Sequence, residues 1–234
     1  DGIIQRMILK GENVYRKSVL KNGVRVVSFQ MPDRDSLSLG IWCGVGGRFE
    51  SDTLKGAAHF LEHIVFKGTK KYSCTQLKER VEGVGGSLNA FTTEEQTCYY
   101  AKIPSHYVSK TFDVLADMVF CPNIAKRDVK SERRVILEEI KMYYDLPQYF
   151  VVEALEGLMW PDHPLGKGLA GSIESVSAMT AKQLINFHQT HYVPNNIVVA
   201  ACGNSTHELI VDLVRKKTNG FSLGRKGEAL PAGH

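Results

Sequence analysis

The chain predicts an α+β layered domain, with a mainly antiparallel sheet covered by helices. Three observations carry this. Residues 24–30 and 36–43 are rich in Val, Ile, Leu and Ser and alternate with a period of two, as half-buried strands do. Several longer segments open with helix start signals and end on Gly or Pro. The two kinds of segment are mixed without strict alternation, which favours a layered α+β domain over a doubly wound parallel sheet.

In chain order, a glycine-rich turn, Gly44-Val45-Gly46-Gly47, follows the second strand. A helix over 57–66 then stops near Gly68, a C-cap signal. The next helix begins at Ser73, with Gln76 at the capping-box spacing, and runs out at Gly83. Extended runs cover 87–92 and 97–103, and a helix over 106–120 is ended by Pro122. A long helix spans 127–145, and another spans 150–159 before Trp160-Pro161. Thr180 with Gln183 opens a further capped helix towards His191; 195–202 reads as a buried strand, and a last helix follows Thr206. Residues 1–221 are expected to form one domain. Residues 222–234, with Gly, Arg, Lys and Pro and no periodicity, are expected to be a linker-like or disordered tail.

Composition bounds the function. With 234 residues, 43% hydrophobic and 23% charged, the chain can bury a sizeable core. No apolar run approaches the ~18 residues of a membrane span. No basic region followed by an apolar core marks a secretory signal, so neither a membrane nor export is expected, and a cytoplasmic setting (the mitochondrial matrix in a eukaryote) is. The net charge of +4 is mild and scattered; Lys67, Lys70 and Lys71 cluster without interleaved aromatics, which argues against a nucleic-acid partner. Five cysteines without a C-x-x-C pair predict free thiols in a reducing compartment.

The chemistry is concentrated in His59-Phe60-Leu61-Glu62-His63. On a helix the two imidazoles, four residues apart, share one face with the carboxylate, the arrangement that holds a catalytic zinc with a base beside it. Such a zinc takes three protein ligands and keeps one open position, so a third ligand must come from elsewhere. His188 and His191 lie at the end of a helix, where a polar or cationic residue is favoured anyway, and are read as structural. His106, His163, His207 and His234 are isolated and are read as surface residues or loop hydrogen-bonders. On the helix after Arg127, Glu138 has Arg134 at i−4 and Lys141 at i+3 and belongs to a solvated face. Glu139 has Val135, Ile136, Met142 and Tyr143 around it, which reads as the inward stripe, and Glu132 lies nearly in line with it. A carboxylate on an apolar face asks for a cation. Glu139 is therefore the expected third ligand; the competing reading pairs it with a nearby arginine.

These residues resemble the insulinase/pitrilysin family of inverted-motif zinc peptidases, near the mitochondrial processing peptidase beta and bacterial processing-protease branch. The resemblance rests on Gly56-Ala57-Ala58-His59-Phe60-Leu61-Glu62-His63 and Phe66-Lys67-Gly68-Thr69; on Gly85-Gly86-Ser87-Leu88-Asn89-Ala90-Phe91-Thr92 with Tyr99-Tyr100; on Glu132 with Val135-Ile136-Leu137-Glu138-Glu139; and on His163-Pro164-Leu165-Gly166, Gly171 and Tyr192 to Asn196. It implies a zinc endopeptidase with one Zn2+ per chain, held by His59, His63 and Glu139. Glu62 would act as general base on the zinc-bound water, and Glu132 would assist catalysis or orient a ligand. It also implies that Leu88, Asn89, Ala90 and Phe91 bind extended peptides by strand addition. Relatives close as two homologous halves around the peptide, so a homodimer, or a heterodimer with a homologous half, is expected. The Arg-Tyr pair of the second half has no counterpart here, and Glu94-Glu95 stands at a more commonly basic position. The alternative is a non-catalytic assembly or core subunit of the same fold; such subunits usually lose a ligand or the base, and here all four residues are intact.

Overall fold

A computed structural model describes residues 4–8, 14–221 and 223–224. Its strands and helices are β1 (Ile4–Ile8), β2 (Val14–Val19), β3 (Arg25–Gln30), β4 (Ser36–Cys43), α1 (Ala57–Val65), α2 (Cys74–Val81), β5 (Ser87–Thr92), β6 (Thr97–Pro104), α3 (Val108–Phe120), α4 (Lys126–Asp145), α5 (Pro147–Met159), α6 (Ile173–Ala178), α7 (Ala181–His191), β7 (Ile197–Gly203) and α8 (His207–Thr218). Most of the tail expected over 222–234, and His234 with it, lies outside the described residues.

One seven-stranded sheet runs β1-β2-β3-β7-β4-β6-β5. Among the described residues only β3 and β7 pair in parallel; every other neighbouring pair is antiparallel. The alternation in β4 shows why the sheet has one dry face. Leu37, Leu39, Ile41 and Cys43 are fully buried, while Ser38 and Trp42 on the opposite face are not. Helix α3 packs on β4 and β6, α8 on β3, and α1 and α2 on β5. The other face carries a shallow apolar hollow floored by Val27, Phe29, Trp42, Phe91 and Tyr100. At one end of the sheet, β5 pairs with β6 on one side only.

Local signals set the helix starts. In α2 the Ser73 hydroxyl accepts from Gln76 N at 3.3 Å, and Gln76 Oε1 accepts from Ser73 N at 2.9 Å. Thr180 and Gln183 do the same for α7. The expected boundaries of α1 and β4 agree with the structure. Three elements have no counterpart in the sequence reading: β1, β2 and α6. Strand β2, Val-Tyr-Arg-Lys-Ser-Val, interrupts its apolar residues with two cations, and α6 is a six-residue helix too short to show a period. Among the described residues no helix is long and apolar enough to cross a membrane.

Candidate metal centre

Helix α1 has two faces. Ala57, Ala58, Phe60, Leu61, Ile64 and Val65 are fully buried, each of the large ones contributing about 1.5–3 kcal/mol. That burial fixes the rotation of the helix, so His59, Glu62 and His63 look out of the core towards α4 and β5. The His59 and His63 rings meet edge to face with centroids 4.8 Å apart.

Across from them, Glu139 Oε2 lies 3.8 Å from His59 Nε2 and 3.5 Å from His63 Nε2. The three candidate ligand atoms fall within 4.8 Å of one another. The two N–O separations approach the ~3.4 Å edge of a tetrahedron with ~2.1 Å bonds. Among the described residues no hydrogen-bond partner reaches Glu139 Oε2 or His59 Nδ1, although both atoms are buried. An orphaned buried carboxylate oxygen is costly unless a cation meets it. Burial, then the neighbouring His63, lowers the pKa of His59 to about 4, so its imidazole is neutral, the state that ligates a metal. The donor set fits a zinc ion.

Glu132, also on α4, is 5% exposed. Its Oε1 pairs with Lys67 Nζ at 2.6 Å and its Oε2 faces His63 Nδ1 at 3.3 Å. A proton on Nδ1 leaves the Nε2 lone pair directed at the cluster. Glu62 is held from the strand side, where the Thr92 hydroxyl donates to Glu62 Oε2 at 2.6 Å. Burial raises the pKa of Glu62, opposed by this hydrogen bond and by His63 and reinforced by Glu139.

The sequence reading of α4 needs one correction. Val135 and Met142 are not inward; they are 44% and 46% exposed. The buried line of α4 is Val129, Glu132, Ile136 and Ile140, and Glu139 stands at its border. Val135 and Met142 fall outside the stripe that α1 and α6 cover. Glu138 is exposed and paired with Lys141 at 2.7 Å, as expected.

Leu88, Asn89, Ala90 and Phe91 lie on β5 at the free edge of the sheet. Leu88 and Ala90 pack against the core, while Phe91 turns to the other face and meets Trp42 at 5.5 Å. Beside His59 a hollow of about 500 Å³ is walled by Tyr143, Tyr149, Val152, Glu153 and Leu169.

The remaining histidines lie apart. His188 Nε2 binds the Val119 carbonyl at 2.8 Å and stacks on Tyr192, and His191 is buried against Phe187 and Phe49, both structural as expected. His163 Nδ1 accepts from Leu165 N. His207 is the exception. It is neither a surface nor a loop residue but is buried at the start of α8, bridging the hydroxyls of Ser18 at 2.8 Å and Ser28 at 2.7 Å. The burial follows from α8 lying on β3, which closes those hydroxyls off from water.

Sequence reasoning gave no individual role to Thr92, Lys67, Glu50 or Lys55. Thr92 and Lys67 meet Glu62 and Glu132, which are distant in sequence, so no local pattern announces them; Glu50 binds the amides of Gly56 and Ala58, a spacing that matches no helix-capping pattern.

The insulinase (peptidase family M16) model matches residues 25–172, and the peptidase M16 inactive-domain model matches 178–229. A zinc protease of Mycobacterium tuberculosis, described as uncharacterized, is 44% identical over 201 residues, which is 86% of this chain and 46% of that protein. An Arabidopsis thaliana protein named as a mitochondrial-processing peptidase beta subunit is 37% identical over 201 residues, 86% of this chain and 38% of its own. The chain thus spans about half, or less, of the length of these curated relatives. Among solved structures, a protease from Helicobacter pylori superposes with a TM-score of 0.86 at 24% identity, covering 94% of this chain and 53% of that one; at that identity the likeness is one of fold. With most of its length matched by the family model and by relatives of this identity, the chain belongs to the insulinase family, peptidase family M16.

Proposed function

We propose that this chain is the zinc-binding half of a metalloendopeptidase that cuts extended peptides. The observation that carries the reading is the meeting of His59 Nε2, His63 Nε2 and an unpartnered Glu139 Oε2, with the Glu62 carboxylate on the same helix face. His59, His63 and Glu139 would hold one zinc, within a catalytic unit formed by residues 1–221. Zinc, when bound, supplies Lewis acidity to a water and to the scissile carbonyl. Glu62 takes a proton from the attacking water on its carboxylate and returns it to the leaving amine. Its burial supports this role, because a raised pKa brings the carboxyl nearer the working pH of a base. Glu132 holds His63 by Nδ1.

The free edge of β5 supports strand addition as the binding mode. The substrate backbone would pair beside Leu88, Asn89, Ala90 and Phe91, next to Thr92, whose hydroxyl donates to Glu62. That mode accepts extended chains and rejects folded ones. A second homologous half, in the same polypeptide or as a partner subunit, would close over the site; the length of the relatives supports this.

Glu62→Gln is expected to retain zinc and to lose peptide cleavage, whereas His63→Ala and Glu139→Gln lose both. Metal analysis after dialysis and a chelator-sensitive cleavage assay read these outcomes. Wild-type cleavage by the Glu62→Gln variant would remove the base from the mechanism.

A further inference from the structure

Helix α1 starts without a cap of its own. Its first flanking residue is Gly56, in a left-handed conformation with φ of 91° and no side chain to accept the free N–H groups of the first turn. The acceptor comes from upstream. Glu50 Oε2 accepts from Gly56 N at 2.9 Å, and Oε1 accepts from Ala58 N at 2.7 Å, so one carboxylate clamps the residues immediately before His59. Glu50 is buried, and so is Lys55, whose Nζ lies 3.5 Å from Glu50 Oε2. Lys55 Nζ also donates to the carbonyls of Gly47 at 3.1 Å and Pro164 at 3.0 Å.

The turn that carries Glu50 is itself tied to the hairpin that carries Thr92. Gly47 N donates to the Thr93 carbonyl at 3.2 Å and Arg48 N to the Glu94 carbonyl at 2.8 Å. A Cβ on Gly46 would sit 2.0 Å from the Thr93 carbonyl oxygen, so the two backbones are in direct contact. On the other side a Cβ on Gly56 would come within 2.5 Å of the Ala170 carbonyl, and Ser175 Oγ donates to the Lys55 carbonyl at 2.8 Å. Three segments therefore converge on the Glu50–Lys55 pair: the metal helix, the β5–β6 hairpin and the stretch over 164–175.

A buried ion pair is a poor source of stability, since desolvating both ions offsets most of their attraction and an apolar pair of similar volume often does as well. The directional bonds of this pair are what an apolar pair cannot reproduce. We infer that Glu50 is a positioning residue for the metal centre: it sets the axial position of α1 relative to the β5–β6 hairpin, and so the distance from His59, Glu62 and His63 to their partners on α4 and β5. Burial raises the pKa of Glu50 to about 7, and Lys55, with its Nζ 3.5 Å from Oε2, opposes that rise and keeps the carboxyl turned to the helix. The inference rests on the zinc reading of the site.

The test compares wild type, Glu50→Gln, and the apolar pair Glu50→Leu with Lys55→Met. Each is purified as the full chain, checked for folding by circular dichroism and thermal melting, and titrated with zinc against a competing chelator. Cleavage is then measured with an unstructured peptide, in the presence of a homologous half if the chain alone is silent. Glu50→Gln keeps one backbone acceptor and the shape; it is expected to bind zinc about tenfold more weakly, and its zinc-saturated form to lose kcat with KM unchanged. The apolar pair leaves Gly56 N and Ala58 N without their acceptor, so its melting temperature is expected to fall, and its folded form to show the larger loss of zinc affinity. A merely structural pair lowers the melting temperature but leaves zinc affinity and kcat of the folded protein unchanged; that result overturns the inference. Wild type that binds no zinc overturns the metal reading instead, so the two failures are distinguishable.

Discussion

Replacement of Glu132 by Gln separates two roles for a carboxylate beside the proposed metal ligands. Glu132 touches His63 Nδ1 at 3.3 Å and Lys67 Nζ at 2.6 Å. If Glu132 acts by orienting His63, the amide keeps an acceptor for Nδ1 but gives up the negative charge that makes the ring a better donor to a cation. Loss of such a partner weakens metal binding by about 10–100-fold. The 3.3 Å contact is at the long end for a charged hydrogen bond, which places the expected loss near tenfold, about 1.4 kcal/mol. Chelator competition on the purified protein measures it, and the zinc-saturated variant should retain most of its kcat. Unchanged zinc affinity together with a large loss of kcat would refute the reasoning and put Glu132 in the chemistry itself. Lys67→Met supplies the control: it leaves the His63 contact in place and should change zinc affinity by less than about threefold.

Two further outcomes follow from contacts away from the ligands. Thr92→Val removes the hydroxyl that donates to Glu62; kcat is expected to fall about tenfold with zinc content and KM unchanged, and Thr92→Ser to restore it, by steady-state kinetics on each variant. Midway along α3, Asp113 is partly buried, which raises its pKa, but the Lys71 ammonium, the Tyr72 hydroxyl and Lys217 outweigh this and bring it down to about 2. Its folded-state pKa lies below the unfolded value, so its contribution is present above about pH 3.8 and is lost as pH falls through about 2. Solvent screening reduces that contribution to about 1 kcal/mol. Asp113→Asn should flatten the acid limb of a urea-denaturation series by that amount; an unchanged acid limb would show that the cluster contributes nothing.

Much of the fold was legible because its signals are local. The capping pairs Ser73/Gln76 and Thr180/Gln183 open the helices they predict, and Ser36–Cys43 forms a strand with the expected bounds. The meeting of His59, His63 and Glu139 was legible for a different reason: His59 and His63 share a face by helix geometry, and Glu139 was picked from the acidic residues along one long helix. The choice of Glu139 rested on a flawed premise, since Val135 and Met142 are exposed and Glu139 sits at the edge of the buried stripe. What stayed hidden depends on tertiary approach. His207 gives no local sign that two serines of neighbouring strands enclose it, and Lys67 meets Glu132 only because α1 and α4 pack together.

Helix α5 follows α4 directly, yet none of its residues is buried, and Leu158 is 81% exposed. Local opening free energy scales with the apolar contacts a segment loses when it opens, so α5 lies at the low end of the molecule's range while the core face of α1 lies near the global limit. The wall of the hollow beside His59 that contains Tyr149, Val152 and Glu153 thus belongs to a low-stability unit, and the floor that contains the imidazoles to a high-stability one. In hydrogen exchange the amides of 148–159 should exchange orders of magnitude sooner than those of α1. On the proposed function, side chains of different size are accommodated by rearranging this wall while His59 and His63 keep their places on α1.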